Sequence, residues 1–304
     1  MKTRSCSRWV ADGQSPSLET LSLRFGMVWL AALALLPTTR ADVFNDDLCH
    51  GIDTAYWVVE SNQPLYTVEA INEGVRFSRS AGGSYSFQYV TLESQVVAQG
   101  NFDVRVDYTN ASISRIDGSP GNQVQLNSLC GGQYFIVVRS DEINYGQNIH
   151  VWANPPSAWF GQRACTDTFG TMRITRTNAH LRAYYNATLI YENDYNTNDA
   201  SFAMPLQNNG TRDATAVTFA NFQLAADHIV YPPPRLNIQR LPPQQVLISW
   251  PAYPSGYFLQ RSPSLPGTGL WEADMTIPVL IGNRWFVTNA VEGAPRFYRL
   301  KQEP

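Results

Sequence analysis

Polar and apolar residues alternate one by one along most of the chain, and no stretch of helix length carries a 3.6-residue apolar stripe. Phe102, Val104, Val106 and Tyr108 point one way while Asp103, Arg105, Asp107 and Thr109 point the other, the pattern of a half-buried strand. Val124 and Leu126 alternate with Gln123, Gln125 and Asn127, and Gly131-Gly132 then turns the chain. Tyr134 to Arg139 is apolar on both sides and reads as a central strand. Ile149 and Val151 alternate with Asn148, His150 and Trp152. Met172 to Thr177 and Leu181 to Tyr185 are joined by Asn178-Ala179 as a hairpin, and Leu189 to Glu192 follows. In Val217 to Leu224 the apolar phase slips by one residue, which a β-bulge near Asn221 explains. Asn154 to Gly170 reads as a long loop whose Pro155-Pro156, Trp159 and Phe160 fold it over a surface. About ten to twelve strands with no helix between them predict an all-β fold, a large antiparallel sandwich or jelly roll.

Proline and apolar runs divide the chain. Pro232-Pro233-Pro234 cannot join a ladder and marks a linker over 232–235. Short strands with frequent turns after it predict a small β-sandwich of immunoglobulin or fibronectin III character over 236–304. The jelly roll occupies 42–231. At the other end, Met27 to Leu36 is an apolar run too short to span a bilayer, preceded by Arg24 and followed by Thr39-Arg40-Ala41. Residues 1–41 read as a signal peptide, so the mature chain is expected to be secreted or cell-surface, with no transmembrane segment.

Composition narrows the functional classes. The 304 residues are 44% hydrophobic, 12% aromatic and 15% charged, which supports a packed core. Net charge is −3, and the only lysines are Lys2 and Lys301. With no basic run, nucleic acid is excluded as a partner. Cys6 falls in the leader, leaving Cys49, Cys130 and Cys165. Three pairings are open; Cys130–Cys165 is preferred because both flank strands expected to be neighbours.

Two resemblances add to this reading. Val43-Phe44-Asn45-Asp46-Asp47, Asp53-Thr54-Ala55-Tyr56-Trp57 and Gly100-Asn101-Phe102-Asp103-Val104-Arg105-Val106 resemble the opening and an early strand of bacterial concanavalin A-like (LamG-like) jelly rolls. Val246-Leu247-Ile248-Ser249-Trp250-Pro251, Gly256 to Ser262, Trp271 and Phe297-Tyr298-Arg299-Leu300 resemble a C-terminal module of secreted proteins of Verrucomicrobia-type bacteria. The resemblance implies a bacterial, exported protein, in which the Asn110, Asn186 and Asn209 sequons are accidental.

Concanavalin-like folds host glycoside hydrolases, which need paired carboxylates. The Glu-x-Asp-x-Glu strand signature is absent here, and Asp103 and Asp107 have Arg105 between them, as on an ion-paired solvated face. No nucleophile elbow, zinc helix or phosphate loop occurs. No cofactor is implied apart from calcium, for which Asp194, Asn196, Asn198 and Asp199 offer alternating oxygens. Carbohydrate is the sharper expectation. Gln125, Asn127, Asn148, His150, Trp152, Arg182 and Tyr184 lie opposite core positions, Arg139 is expected to join them, and Trp159 to close over them from its loop. Amide, guanidinium, imidazole and indole groups on one rigid face suit a glycan. The leading expectation is non-catalytic binding of a glycan or surface polymer. Beside it stand an adhesive or structural module with protein partners, and an unusual glycoside hydrolase or lyase.

Overall fold

The computed structural model describes residues 41–303, apart from 83–86, 114, 116–120, 144–145, 210–212, 265–269, 292 and 294. The expected leader, Ala41 excepted, lies outside the described residues, as does part of the Asn209 sequon. Among the described residues every regular element is a strand, and no helix is long and apolar enough to cross a membrane.

The strands, numbered in chain order, form two layers. The front layer runs β2 (Trp57–Ser61), β5 (Phe87–Ser94), β14 (Ala200–Asn209), β7 (Gly121–Cys130), β8 (Gln133–Glu142), β9 (Gly146–Asn154) and β10 (Ala158–Ala164). The back layer runs β3 (Tyr66–Ile71), β4 (Gly74–Arg79), β15 (Thr215–Val230), β6 (Val97–Ser112), β11 (Gly170–Thr177), β12 (His180–Tyr185) and β13 (Thr188–Asp194), with β1 (Asp42–Asp46) also on β15. All these pairs are antiparallel, and one bridge, Ala200 with Ala98, makes the fifteen strands continuous. This is an all-β jelly-roll sandwich.

Alternation decides what lies between the layers. Val124 and Leu126, Phe135 and Val137, Ile149 and Val151, and Phe202, Met204 and Leu206 are buried from the front. Phe102, Val104, Val106, Met172, Ile174, Leu181 and Phe222 meet them from the back. Rings lock the layers together: Phe102 lies 5.2 Å from Phe202, and Trp57 meets Phe222 edge-on at 4.9 Å. Each such side chain contributes about 1.5–3 kcal/mol by leaving water.

The bulge and the hairpin are where the pattern puts them. The β15–β6 register shifts between Ala220 and Gln223, with Asn221 at φ 53°, and Asn178 (φ 55°) turns β11 into β12. Residues 154–170 are different from the expected loop. The Pro155-Pro156 turn folds Ala158–Ala164 back as β10, the edge strand of the front layer, because Trp159 pairs with Trp152. The outward face of β6 is ion-paired as expected, but Asp103 receives both Nε (2.7 Å) and Nη2 (2.6 Å) of Arg173. Arg105 instead donates to Gln223.

The preferred disulfide is corrected. Cys130 and Cys165 are both free, buried thiols. Cys130 pairs with Gln133 at one end of β8, whereas the Cys165 amide bonds Gln147, which pairs with Asp141 at the other end. Those ends are eight residues apart, roughly 26 Å along a strand, far beyond the about 7 Å that a disulfide spans between Cα atoms. Burial pushes the Cys130 thiol pKa up, which keeps it protonated and unreactive.

Residues 237–302 build two further sheets. One is β16 (Asn237–Leu241), β17 (Gln245–Pro251), β21 (Arg284–Ala290) and β20 (Val279–Ile281); the other is β19 (Glu272–Ala273), β18 (Tyr257–Ser262) and β22 (Phe297–Gln302). They share a core of Ile248, Trp250, Leu259 and Val287. This unit is not left at arm's length by its prolines. Tyr253 sits between Phe44 (5.4 Å), Tyr56 (6.2 Å) and Tyr231 (5.7 Å), and its amide donates to the Tyr56 hydroxyl at 2.7 Å. Arg284 pairs with Asp53 at 2.7 Å.

Gly74 opens β4 at φ 139°, and a Cβ there would stand 2.1 Å from the Phe219 carbonyl oxygen of β15. Gly74→Ala is therefore expected to destabilise the protein by more than about 2 kcal/mol, read as a lower urea midpoint at unchanged slope. A midpoint within error of the parent would contradict this packing.

Candidate functional site

Antiparallel register carries the outward residues of the front layer into rows. One row reads Glu93, Ala203, Asn127, Ile136, Trp152, Trp159 from β5 to β10. Beside it Gln125, Val138 and His150 align, then Gln123, Ser140 and Asn148. Gln125, Asn127, Asn148, His150, Trp152 and Trp159 are thus brought to one face, as expected.

Arg139, Arg182 and Tyr184 are not, and the expectation for them is corrected. Arg139 pairs with Val124 and so shares its inward side; it is 2% exposed. Its guanidinium donates to the carbonyls of Ser140 (2.5 Å) and Asp167 (3.2 Å) and to Gln147 Oε1 (3.0 Å). Arg182 and Tyr184 lie on β12 in the back layer, whose inward residues are Leu181, Ala183 and Tyr185. Their side chains face solvent on the far side of the sandwich, where Arg182 donates to Glu192 and Arg173 lies over the Tyr184 ring.

The residues expected to hold calcium make hydrogen bonds to separate partners. Asp194 holds His180 at 2.7 Å, and Asp199 accepts from Gln99 at 2.9 Å. Asn196 donates to the Cys130 carbonyl and accepts from the Asn198 amide, pinning the β13–β14 turn against the β7–β8 turn. No cluster of three or more His, Cys, Asp or Glu residues able to hold a metal occurs among the described residues.

The front face is concave where β5, β14, β7 and β8 meet. A groove of about 300 Å³ there is lined by Phe87, Tyr89, Glu93, Gln125, Asn127, Tyr134 and Gln207, among others. Its floor is an amide ladder: Gln125 Nε2 donates to Gln207 Oε1 (3.0 Å) and Gln123 Oε1 (2.5 Å). Gln207 passes on to Asn209 (2.7 Å), and Gln123 to Glu142 (2.6 Å). Asn127 Oδ1 is buried with no hydrogen-bond partner. At one end Phe87 and Tyr89 lie 5.8 Å apart; at the other Tyr134 continues into Trp152 (6.3 Å) and Trp159 (6.1 Å further). Phe87, Tyr134 and Trp159 remain 55%, 39% and 43% exposed, so these rings are open to a ligand.

His150 has another role. Trp159 packs edge-on against its ring at 4.3 Å and hides it, and Nδ1 contacts Asn148 Oδ1. Burial depresses its pKa to about 4. Glu93 and Glu60 carry the charge at the groove's outer edge. Thr91 pairs with Glu60 and Val58 with Glu93, so the two carboxylates are diagonal neighbours, about 7–8 Å between backbones. Tyr89 donates to Glu60 at 2.9 Å. Burial, then Glu60, pushes the Glu93 carboxyl up. Burial does the same for Glu142.

Phe87, Tyr89, Glu93, Tyr134 and Gln207 were not among the expected residues. Period-two alternation over 87–94 and 201–207 was the signal for all but Tyr134, since Gln88, Val90 and Leu92 and then Phe202, Met204 and Leu206 turn inward.

Comparison with known proteins places the chain in a family. Residues 30–247 match the family described as "Protein of unknown function (DUF1583) C domain", and the chain belongs to it. The match runs through the prolines at 232–234 into β17. No curated protein matches the chain. Among solved structures it is similar to a Bacillus licheniformis β-glucanase (11% identity, 60% of this chain, 97% of that one, TM-score 0.45). It is also similar to the Emp46p carbohydrate recognition domain in its metal-free form (11%, 60% and 95%, TM-score 0.43). A third is the cellulose induced protein Cip1 (12%, 60% and 97%, TM-score 0.44).

The depressed pKa of His150 gives a pH dependence with a definite sign. The unfolded imidazole takes up a proton near pH 6.5 and the folded one only near pH 4. Stability is therefore lost as pH falls between those values, by up to about 3 kcal/mol. Urea unfolding at pH 7 and pH 4.5 should show this loss, and His150→Gln should remove most of it. An equal loss in the variant would assign it to other groups.

Proposed function

We propose that this protein binds a glycan or surface polymer in the front-face groove, and does so without cleaving it. The observation that carries this reading is an amide-floored groove with exposed rings at both ends. Sugars offer hydroxyls to planar amides and C–H faces to rings, and here both are in place before binding. The apolar leader at 27–36 supports an exported protein that meets such polymers outside the cytoplasm.

The test is a polysaccharide and glycan-array screen with the full chain. Tyr134→Ala and Asn127→Ala should each weaken binding roughly tenfold, the equivalent of about 1.4 kcal/mol. Tyr184→Ala, on the opposite face, should leave it unchanged. Loss in Tyr184→Ala alone would move the site to the back layer, and a folded protein that binds no glycan would end this reading.

Two observations favour other readings. The run Met275 (82%), Ile277 (86%), Val279 (58%), Leu280 (45%) and Ile281 (50%) is exposed on the small unit, as an adhesive module with protein partners would have it. The diagonal Glu60–Glu93 pair sets two carboxylates at the groove's edge, the residue types a glycosidase uses. A bound polymer incubated with the protein separates hydrolysis from binding: no new reducing ends are expected, whereas ends that vanish with Glu93→Gln would make the protein a hydrolase.

A further inference from the structure

Charge in the groove narrows the class of polymer, an inference that rests on the binding reading above. Among the described residues lining the groove there is no lysine or arginine, and the one charged side chain is Glu93. Glu60 stands diagonal to it on β2, and Glu142 closes the other end of the amide ladder. Arg139, the cation expected to join this face, is turned inward and spent on Ser140, Asp167 and Gln147. Among the described residues lining the groove, an anionic sugar laid along β5 and β14 would meet a carboxylate and no cation.

The groove is also long. Tyr89 pairs with Gln207, while Tyr134 aligns with Leu129 and Ser201, six residues further along β14. Six residues are about 20 Å along the strands, and the four strands β5, β14, β7 and β8 add roughly 14 Å across. Rings at the two ends of such a diagonal suit a chain of several sugar units better than one terminal residue. The floor between them donates and accepts through neutral amides of Gln125, Asn127 and Gln207.

We infer that the ligand is an uncharged, linear polysaccharide, and that Glu93 excludes polymers carrying uronate or sulfate groups. A like charge brought against a partly desolvated carboxylate costs enough to reject a partner, with no change in the contacts that hold the neutral chain.

The experiment uses the full-length protein and matched polymer pairs: hydroxyethylcellulose against carboxymethylcellulose, methyl-esterified against de-esterified homogalacturonan, and dextran against dextran sulfate. Affinity electrophoresis at low salt should show the neutral member of any pair that binds held about tenfold or more tightly. Salt should shrink that gap, because it screens repulsion between partly exposed charges. Glu93→Gln should bring the ratio within a pair to about threefold or less. Equal or tighter binding of the anionic member overturns the inference and leaves carbohydrate binding standing. A ratio that Glu93→Gln does not move overturns the role of Glu93. A folded protein that retains no member of any pair overturns both the inference and the reading beneath it.

Discussion

The pairing of β7, β8 and β9 is the constraint on which the site depends. β8 is apolar on both sides and sits mid-sheet, so its inward residues Phe135 and Val137 must meet Leu181, Ile174 and the rest of the core. That register puts Asn127, Ile136 and Trp152 side by side on the outside, and Trp159 extends the row across β10. A slip by one residue would turn every one of these inward and the core outward. The outer face is what the inner face leaves over, and its geometry is held by the same burial that holds the fold.

Holding amides in a groove has its own physical condition. A buried amide without partners costs about 1–3 kcal/mol, so a floor of glutamines is stable only if they bond sideways. They do: Gln123, Gln125, Gln207 and Asn209 form one chain ending at Glu142. Such a chain is stiff, since no member can turn without breaking its neighbour's bond. Asn127 Oδ1 falls outside it and stays unpaired. A hydroxyl arriving at that atom would gain a hydrogen bond whose desolvation cost folding has already met. Indoles on the β9–β10 side are used differently, because Trp159 seals His150 as well as lining the surface.

Much of this was legible in the chain. Strand faces follow from alternation, and Asn148, His150 and Trp152 needed only the phase of one strand against one core. Arg139 was misplaced because its strand is apolar on both sides, where alternation carries no phase. Arg182 and Tyr184 were misplaced for another reason. Their strand faces are read correctly, but a strand's own pattern does not say which of two layers it joins, and both layers have an outside. The long-range pairing of β12 with β11 and β13 decides it. The Cys130–Cys165 expectation failed on the same point, because nearness of strands says nothing about which ends meet. Trp159 was expected to lie over the face from a loop and lies there from an edge strand instead.

The division at Pro232 shows how composition and contact can part ways. Prolines do keep 232–235 out of any ladder, and the strands after them form their own small sheets. Yet Tyr253, which follows them, packs on the core of the large sandwich, face to face with Tyr231 and edge-on to Phe44. Asp46, buried behind these rings, accepts from the Trp57 indole (2.8 Å) and the Leu48 amide (2.9 Å). Trp57 in turn packs on Phe222, under the front layer. A chain of direct contacts therefore runs from the small unit through Tyr253, Phe44 and Trp57 to β2, the strand that carries Glu60. The family match likewise continues past the prolines, as far as residue 247 in β17, and does not stop where the ladder does.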